Sequence, residues 1–376
     1  MRTRTLFLTI DAGRAIIFRP AHPQIYMSAP GPGVLNDVTE QQALAIQEIA
    51  DILARTVRRD YPPGTLARRD AHPKHHGCVR AEFRVDDDVP ADLRHGIFRT
   101  PQTYPAWIRY SNGAPHVQSD HRKDQRGMAI KLLDVPGTKV LEDERDSPTQ
   151  DFVLASAPCF FIRSIEDYVE FTRAACKQPA FRVLGYFFGW NPLSWRIHEL
   201  RRLFASLART DNVLGNRYWS QTPYRLGPHI VKYSARPIEP PAPLSSISRS
   251  PGFLREAMAA TLSRQRVVFE FLVQRHVDEP STPIQDSTIE WPESVAPFRR
   301  VGTITIPMQT FTSPEQLALA EHISYTPWHS LPEHEPVGGI NRTRLVAYRT
   351  ISMLRHQMNG VPRLEPRSLD IVPWWN

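Results

Sequence analysis

The sequence predicts an α+β fold built on a mainly antiparallel sheet or barrel. Three observations carry that expectation. Strand-like runs cluster together instead of alternating one by one with helices. The order along the chain reads helix, many strands, helices, strands, helices. No Rossmann or P-loop glycine pattern accompanies them. At 376 residues the chain can bury a sizeable core, and its length suits either two domains or one large one. The 35 prolines are spread between elements and not gathered into a linker, which points to one core with irregular connections.

The first 35 residues end in a turn-rich stretch, Ala29-Pro30-Gly31-Pro32-Gly33. Thr39 and Gln42 then form a capping box. Ile46, Ile49, Leu53 and Val57 follow at helical spacing, so residues 39–58 are predicted as an amphipathic helix, ended by Tyr61-Pro62-Pro63-Gly64. Strand-like runs come next at Val79–Val85, Ala106–Tyr110, Met128–Leu133 and Phe152–Ala155. Helices are expected at Ile165–Cys176 and Ser194–Leu207. Strand-like pieces return at Ile230–Ser234, Val267–Val273 and Val301–Ile306, and the last helices are Pro314–His322 and Arg342–Gln357. Residues 1–60 read as an N-terminal extension with its helix, and residues 61–376 as one compact domain.

Composition excludes several classes. No apolar stretch approaches the roughly 20 residues of a membrane span. Three cysteines (Cys78, Cys159, Cys176) without a CxxC pair exclude a disulfide scaffold and a zinc ribbon, and they fit a reducing, cytoplasmic compartment. Residues 1–8 lack the small-residue cleavage pattern of a signal peptide. The net charge of +7 invites a nucleic-acid reading, but only six residues are lysine and the arginines are scattered. The densest clusters (Arg68-Arg69, Arg201-Arg202, Arg299-Arg300) are pairs, and no RNP or zinc-finger pattern accompanies them. A solvated surface with a few anion-binding arginines, and no nucleic-acid partner, is the better reading.

Three clusters carry candidate chemistry. The first runs from Arg69 through His72, Lys74, His75 and His76 to Gly77. Three histidines in five residues suggest a metal site, yet the acidic partner and helix of an HExxH site are missing, and Pro73 breaks any helix there. A polar loop, or a single acid/base histidine at the start of a strand, remains open. The second cluster is Arg109-Tyr110-Ser111-Asn112, followed by Asp124, Arg126 and Lys131. Arginines on buried strands usually meet an anion, since a lone buried charge is expensive. The third is Arg344 and Tyr348, with Arg355 beyond. Residues four apart share a helix face, and a guanidinium beside a phenol favours the phenolate. Phenolate suits ferric iron, and tyrosine is the axial haem ligand of one enzyme class. An ordinary stacking pair is the bland alternative.

Taken together, the clusters resemble the haem catalase superfamily. The likeness is to its shorter branch of catalase-related peroxidases and hydroperoxide-converting enzymes, allene oxide synthase relatives among them. The catalase segment R-x-x-H-x-K-x-x-G corresponds to Arg69, His72, Lys74 and Gly77. R-F-S corresponds to Arg109-Tyr110-Ser111, and D-x-R-G-F-A-V-K to Asp124 through Lys131. P-x-F-F-I-R corresponds to Pro158 through Arg163, and D-x-x-x-x-W-P to Asp286 through Pro292, with Val301-Gly302 after it. The R-L-F-S-Y segment and its later arginine correspond to Arg344, Tyr348 and Arg355. The agreement keeps its order across roughly residues 65–357.

The resemblance implies a catalase-like antiparallel β-barrel surrounded by helices, with haem b buried between the barrel and the C-terminal helix. It implies Tyr348 as the iron ligand, held ionised by Arg344. It makes His72 the distal base that drives peroxide heterolysis to an oxo-ferryl intermediate, with Ser111 fixing its tautomer. Arg69, Arg109 and Arg355 would clamp the propionates, and Phe160 and Tyr168 would line the pocket. His75 and His76 have no counterpart and are expected to be structural or superficial.

Departures shape the expected reaction. The asparagine that catalases carry before P-x-F-F is absent from Ala155-Ser156-Ala157, so Ser156 is the replacement donor expected there, with a shorter reach. Ala71 stands where catalases have a bulky valine, which makes the distal side roomier. The chain is much shorter than a full catalase, so the interlocked tetramer is not expected, and a homodimer is the assembly left open. The function implied is a haem peroxidase using hydrogen peroxide or organic hydroperoxides with a small-molecule electron donor, and weak catalase activity at most. The alternatives are a fatty-acid hydroperoxide isomerase or lyase and a non-catalytic haem-binding protein. Isomerases of this type usually carry threonine before the distal histidine, a hydrogen bond that Ala71 cannot make.

Overall fold

The computed structural model describes residues 38–176, 183–189, 191–242, 249–363 and 365–371. The turn-rich stretch at 29–33, and with it most of the N-terminal extension, lies outside them. The strands are β1 (His75–Val85), β2 (Thr103–Asn112), β3 (Arg126–Leu132), β4 (Gln150–Ala155), β5 (Tyr218–Trp219), β6 (Tyr224–Leu226), β7 (His229–Pro237), β8 (Val267–Arg275) and β9 (Phe298–Ile306). They form one antiparallel sheet in the order β5-β4-β3-β2-β1-β9-β8-β7-β6, and β5 also pairs with β7. That extra pairing closes eight strands into a barrel, with β6 added beside β7. The predicted antiparallel barrel is therefore the observed one.

The helices are α1 (Glu40–Asp60), α2 (Ile165–Ala175), α3 (Leu184–Phe187), α4 (Ile197–Ser206), α5 (Phe253–Leu262), α6 (Pro314–His322) and α7 (Gly339–Asn359). Thr39 caps α1 in a capping box with Gln42, as its spacing predicts. Four elements escape the sequence reading. Strands β5 and β6 are two and three residues long, too short to show an alternation; α3 is a single turn of four residues; and in the ten-residue α5 only Arg255 and Glu256 are charged, too few to mark a period beside the flanking loops.

The barrel is packed solid. Phe83, Phe98, Phe152, Tyr233 and Phe271 fill its interior, with ring centroids 5.0 Å apart for Phe83–Phe271, Phe152–Phe271 and Phe152–Tyr233. Edge-to-face pairs of this kind contribute about 0.5–1.5 kcal/mol each beyond their buried area. A ligand of any size must therefore sit outside the barrel. Strand alternation decides what it meets there. On β2, Tyr104, Ala106, Ile108 and Tyr110 join the interior core, so Trp107, Arg109 and Ser111 face outward. The register then sets two outward rows across three strands, Ser111–Gly127–Ala155 and Arg109–Ala129–Val153.

Helix α7 supplies the opposing wall. Its Val346, Ile351 and Leu354 pack on α1 through Ile46, Ala50, Ala54 and Val57. A second stripe, Arg344, Ala347, Tyr348, Ile351, Ser352 and Arg355, recurs at three- and four-residue spacing and lines the space beside the barrel.

Candidate active site

Between those two walls lies a cleft with about 1270 Å³ of empty space, counted to its open mouth. It gathers the three sequence clusters, which lie as far apart as residues 69 and 355. Arg69, His72, Arg109, Ser111, Phe160, Tyr168, Arg344, Tyr348 and Arg355 all line it.

The barrel wall carries the histidine. His72 has a left-handed backbone, φ +58°, which an L-residue with a β-carbon adopts at a cost. That conformation lays its ring over the outer face of β3. Its Nδ1 lies 3.0 Å from Ser111 Oγ. The ring fits there because Gly127 has no side chain: a β-carbon on Gly127 would stand 2.7 Å from His72 Nδ1 and Cε1 and 2.8 Å from Ser111 Oγ. Burial, reinforced by the charges of Arg109, Arg69 and Arg344, holds the His72 imidazole down to about 3. These surroundings hold the ring in its neutral form.

The helix wall carries the tyrosine. Arg344 Nη2 donates to Tyr348 Oη at 3.3 Å, with the guanidinium carbon 5.2 Å from the ring centroid. Burial alone would lower the Arg344 pKa, but the Tyr348 and Tyr224 phenols hold it above its usual value. Two residues unforeseen from sequence aim the guanidinium. Arg344 Nη1 donates to Thr222 Oγ1 at 3.1 Å and to Asn341 Oδ1 at 3.2 Å. Asn341 is itself anchored through its amide to the Pro223 and Val337 carbonyls.

At one end of the cleft three guanidiniums converge on the C-terminal turn of α6 and the residue after it. Arg69 donates to the carbonyls of Glu321 and Ile323. Arg109 donates to Ala320 and His72, and Arg355 to Glu321 and His322. Glu321 is the carboxylate beside them, 3.5 Å from Arg69. Neither Arg109 nor Arg355 makes an ion pair among the described residues, although both are buried. Burial, with Arg69 adding its repulsion, pulls Arg109 down to about 9, and burial likewise drives Arg355 well below its usual value. Such an excess of buried positive charge calls for an anionic ligand carrying about two charges.

Not every expected residue joins the cleft. Ser156 does not line it; its hydroxyl accepts from the Arg126 backbone N–H at 2.8 Å. Ala155, its neighbour of opposite parity, faces the cleft instead. The cleft also takes in two polar residues that sequence reading passed over, Gln125, just before β3, and Asp70, whose carboxyl burial raises to about 6. His75 and His76 are buried rather than superficial, and His76 Nε2 is bonded to Asn112 Oδ1 at 2.9 Å. Phe160 and Tyr168 meet edge to face at 5.8 Å and close one flank.

No protein-family model matches the chain, and no curated protein matches it in sequence. Solved structures do. A fungal catalase superposes with a TM-score of 0.62 at 17% identity, over 78% of this chain and 60% of that one. Catalase A from Saccharomyces cerevisiae gives 0.61 at 18%, over 78% and 63%. A bacterial catalase gives 0.59 at 17%, over 89% and 64%. The chain thus has the catalase fold and spans less than two thirds of the length of these catalases. The residues present also fit haem: an oxygen donor polarised by a guanidinium, a wall of small side chains at Ala129 and Ala155, and buried arginines without a carboxylate partner for two carboxylates.

Proposed function

We propose that this chain is a haem peroxidase of the short catalase-related branch, acting on hydrogen peroxide and organic hydroperoxides with a small-molecule donor. The observation that carries the reading is the convergence of Arg344–Tyr348, His72–Ser111 and three buried arginines on one cleft. Haem b, when bound, supplies a redox-active iron that takes two oxidising equivalents from a peroxide and passes them to a donor. Tyr348 would ligate through Oη as phenolate, with Arg344 stabilising its charge. Arg69, Arg109 and Arg355 would hold the propionates, a task suited to the planar guanidinium fork. With Nδ1 donating to Ser111 Oγ, His72 presents its Nε2 lone pair to the cleft. It would take the peroxide proton there and return it to the departing oxygen, which helps the O–O bond break heterolytically.

The distal wall argues against rapid disproportionation of hydrogen peroxide. With the Ser156 hydroxyl turned toward Arg126, the small residues Ala71 and Ala155 leave room for a substituent on the peroxide. The same roominess supports a second reading, donor-free isomerisation of a fatty-acid hydroperoxide.

Absorption spectroscopy with haem titration tests the proposal. The chain should take up one haem with a Soret band, Tyr348→Phe should fail to retain it, and His72→Ala should retain it while losing peroxide consumption by several orders of magnitude. A folded chain that takes up no haem sinks the reading. Allene oxide or aldehyde formed without donor would transfer the assignment to the isomerase.

A further inference from the structure

Outside the cleft lining, the connection through α3 and α4 exposes large apolar side chains. Leu193 is 95% exposed at the turn between the two helices, and Phe204 is 65% exposed on α4. Leu184 (52%), Trp195 (44%) and Phe188 (39%) belong to the same segment. They form an organised feature. Phe188 and Trp195 pack edge to face at 5.3 Å, Trp195 Nε1 donates to the Gly189 carbonyl at 2.9 Å, and Arg196 N–H donates to Phe187 O. The turn is thereby held with Leu193 at its tip. Large apolar side chains exposed along one helical connection in this number mark an interaction site.

Cationic side chains flank it. Arg201 shares the exposed face of α4 with Phe204 and Ala205, and Arg209 follows the helix. Reciprocal backbone bonds between Asp124 and Ala208, 3.0 and 3.3 Å, bring the exposed Arg122 and Lys123 beside that end. None of these four makes an ion pair among the described residues. The nearby carboxylates are largely occupied: Glu170 pairs with Arg196, Glu199 is buried against Arg163, and Glu290 lies 3.8 Å from Arg202. Asp211 is the exposed acidic residue next to the group. Leucine, phenylalanine and tryptophan projecting among unpaired arginine and lysine is the chemistry of a segment that lies in a bilayer interface.

We propose that this α3–α4 protrusion docks the protein on an anionic lipid surface. The apolar tip enters the headgroup–acyl boundary while Arg201, Arg209, Arg122 and Lys123 face lipid phosphates. The segment that carries Arg122 and Lys123 continues into Gln125 on the cleft wall, so the docked surface borders the cleft. Where the peroxidase reading holds, membrane-borne hydroperoxides are the substrates this placement favours; the docking does not depend on it.

Flotation of the full chain, without added haem, tests this on vesicles of phosphatidylcholine alone and of phosphatidylcholine with phosphatidylglycerol. The chain should float with the mixed vesicles, and added salt should weaken its binding. Leu193→Asp with Phe204→Asp should lower partitioning on the order of a hundredfold, since two large apolar side chains lose their burial in lipid. Arg201→Glu with Arg209→Glu should lower it on the order of tenfold, on anionic vesicles alone. Both pairs lie on the surface, and an unchanged melting temperature would show that the fold is intact. No flotation on either vesicle, or equal flotation of all variants, overturns the proposal. So does self-association in sedimentation that the Leu193→Asp/Phe204→Asp pair abolishes without any vesicle binding, which would make the patch a protein interface.

Discussion

Gly127→Ala is the substitution that bears most directly on how the cleft is built. The added β-carbon would lie 2.7 Å from two atoms of the His72 ring and 2.8 Å from Ser111 Oγ, where ordinary contact begins near 3.4 Å. The ring must therefore move by about 0.7 Å or more. Strand β3 cannot give way, because β2 and β4 hold it from both sides through paired Ser111 and Ala155. His72 has little backbone freedom either, at φ +58° and directly before Pro73. Overpacking of this kind costs about 1–3 kcal/mol of stability. The displacement also tilts the imidazole off Ser111 and moves Nε2 by a comparable distance, and a misplacement of about 1 Å at a reacting group costs on the order of a hundredfold in rate.

The assay pairs thermal unfolding with peroxide-dependent oxidation of a dye by the haem-loaded protein, with haem content measured by absorbance. We expect a lowered melting temperature, unchanged haem content and a rate reduced on the order of a hundredfold. Gly185→Ala is the control: it adds a β-carbon to open space on helix α3, where alanine is favoured by about 1 kcal/mol. If Gly127→Ala keeps both stability and rate, the imidazole does not rest on β3. A loss of stability with full activity would mean that His72 packs there but takes no part in the reaction.

Three further outcomes are expected. Ser156→Ala should cost about 1 kcal/mol, for one backbone hydrogen bond, and leave peroxide turnover nearly unchanged; a steep loss of turnover would put its hydroxyl back in the cleft. Arg109→Met removes a buried charge without a carboxylate but also the donor to the Ala320 and His72 carbonyls, so the haem-free chain should melt slightly lower, while haem dissociation should speed up at least about tenfold; unchanged dissociation would remove Arg109 from the propionate site. Acid should destabilise the fold below pH 6.5. His72, His76, His334 and His356 are held by burial to about 3, so the unfolded chain binds their four protons first, and the stability present above 6.5 drains away toward 3. Asp70 and Asp151, which burial raises to about 6, bind protons in the folded state and offset two of these. His75, which burial also drives well below its usual value, adds to the four, so near pH 5 the unfolded chain still binds more protons than the folded one and stability falls as the pH drops; a melting temperature that stays level from pH 6.5 to 4 would contradict it.

What could be read in the sequence follows from how locally each feature is encoded. Arg344 and Tyr348 meet because helical residues four apart must, so that pair needs no tertiary knowledge. His72 and Ser111 lie 39 residues apart, and only the family motif joins them before the β1–β2 register is known. The Thr222–Asn341 support of Arg344 spans 119 residues and has no local signature. Glu321 is equally silent, an ordinary acidic residue near the end of α6 until three arginines are folded onto it.

The misassignment of Ser156 has a different cause, because the information to avoid it was local. Side chains alternate along a strand, so a residue shares its facing with those two positions away. Once Arg109 and Ser111 are taken to face a ligand, antiparallel pairing makes Gly127 and Ala129 face it too, and then Val153 and Ala155. Ser156 has the wrong parity, and its chemistry as a donor cannot overcome that. The same parity runs back past the start of β3 to Gln125, two positions before Gly127, and the cleft does include it. A motif comparison asks which residue type stands where the similar motif has an asparagine. The barrel asks which side chain points outward, and on this wall that rule selects Gln125 and leaves Ser156 bonded to its own sheet.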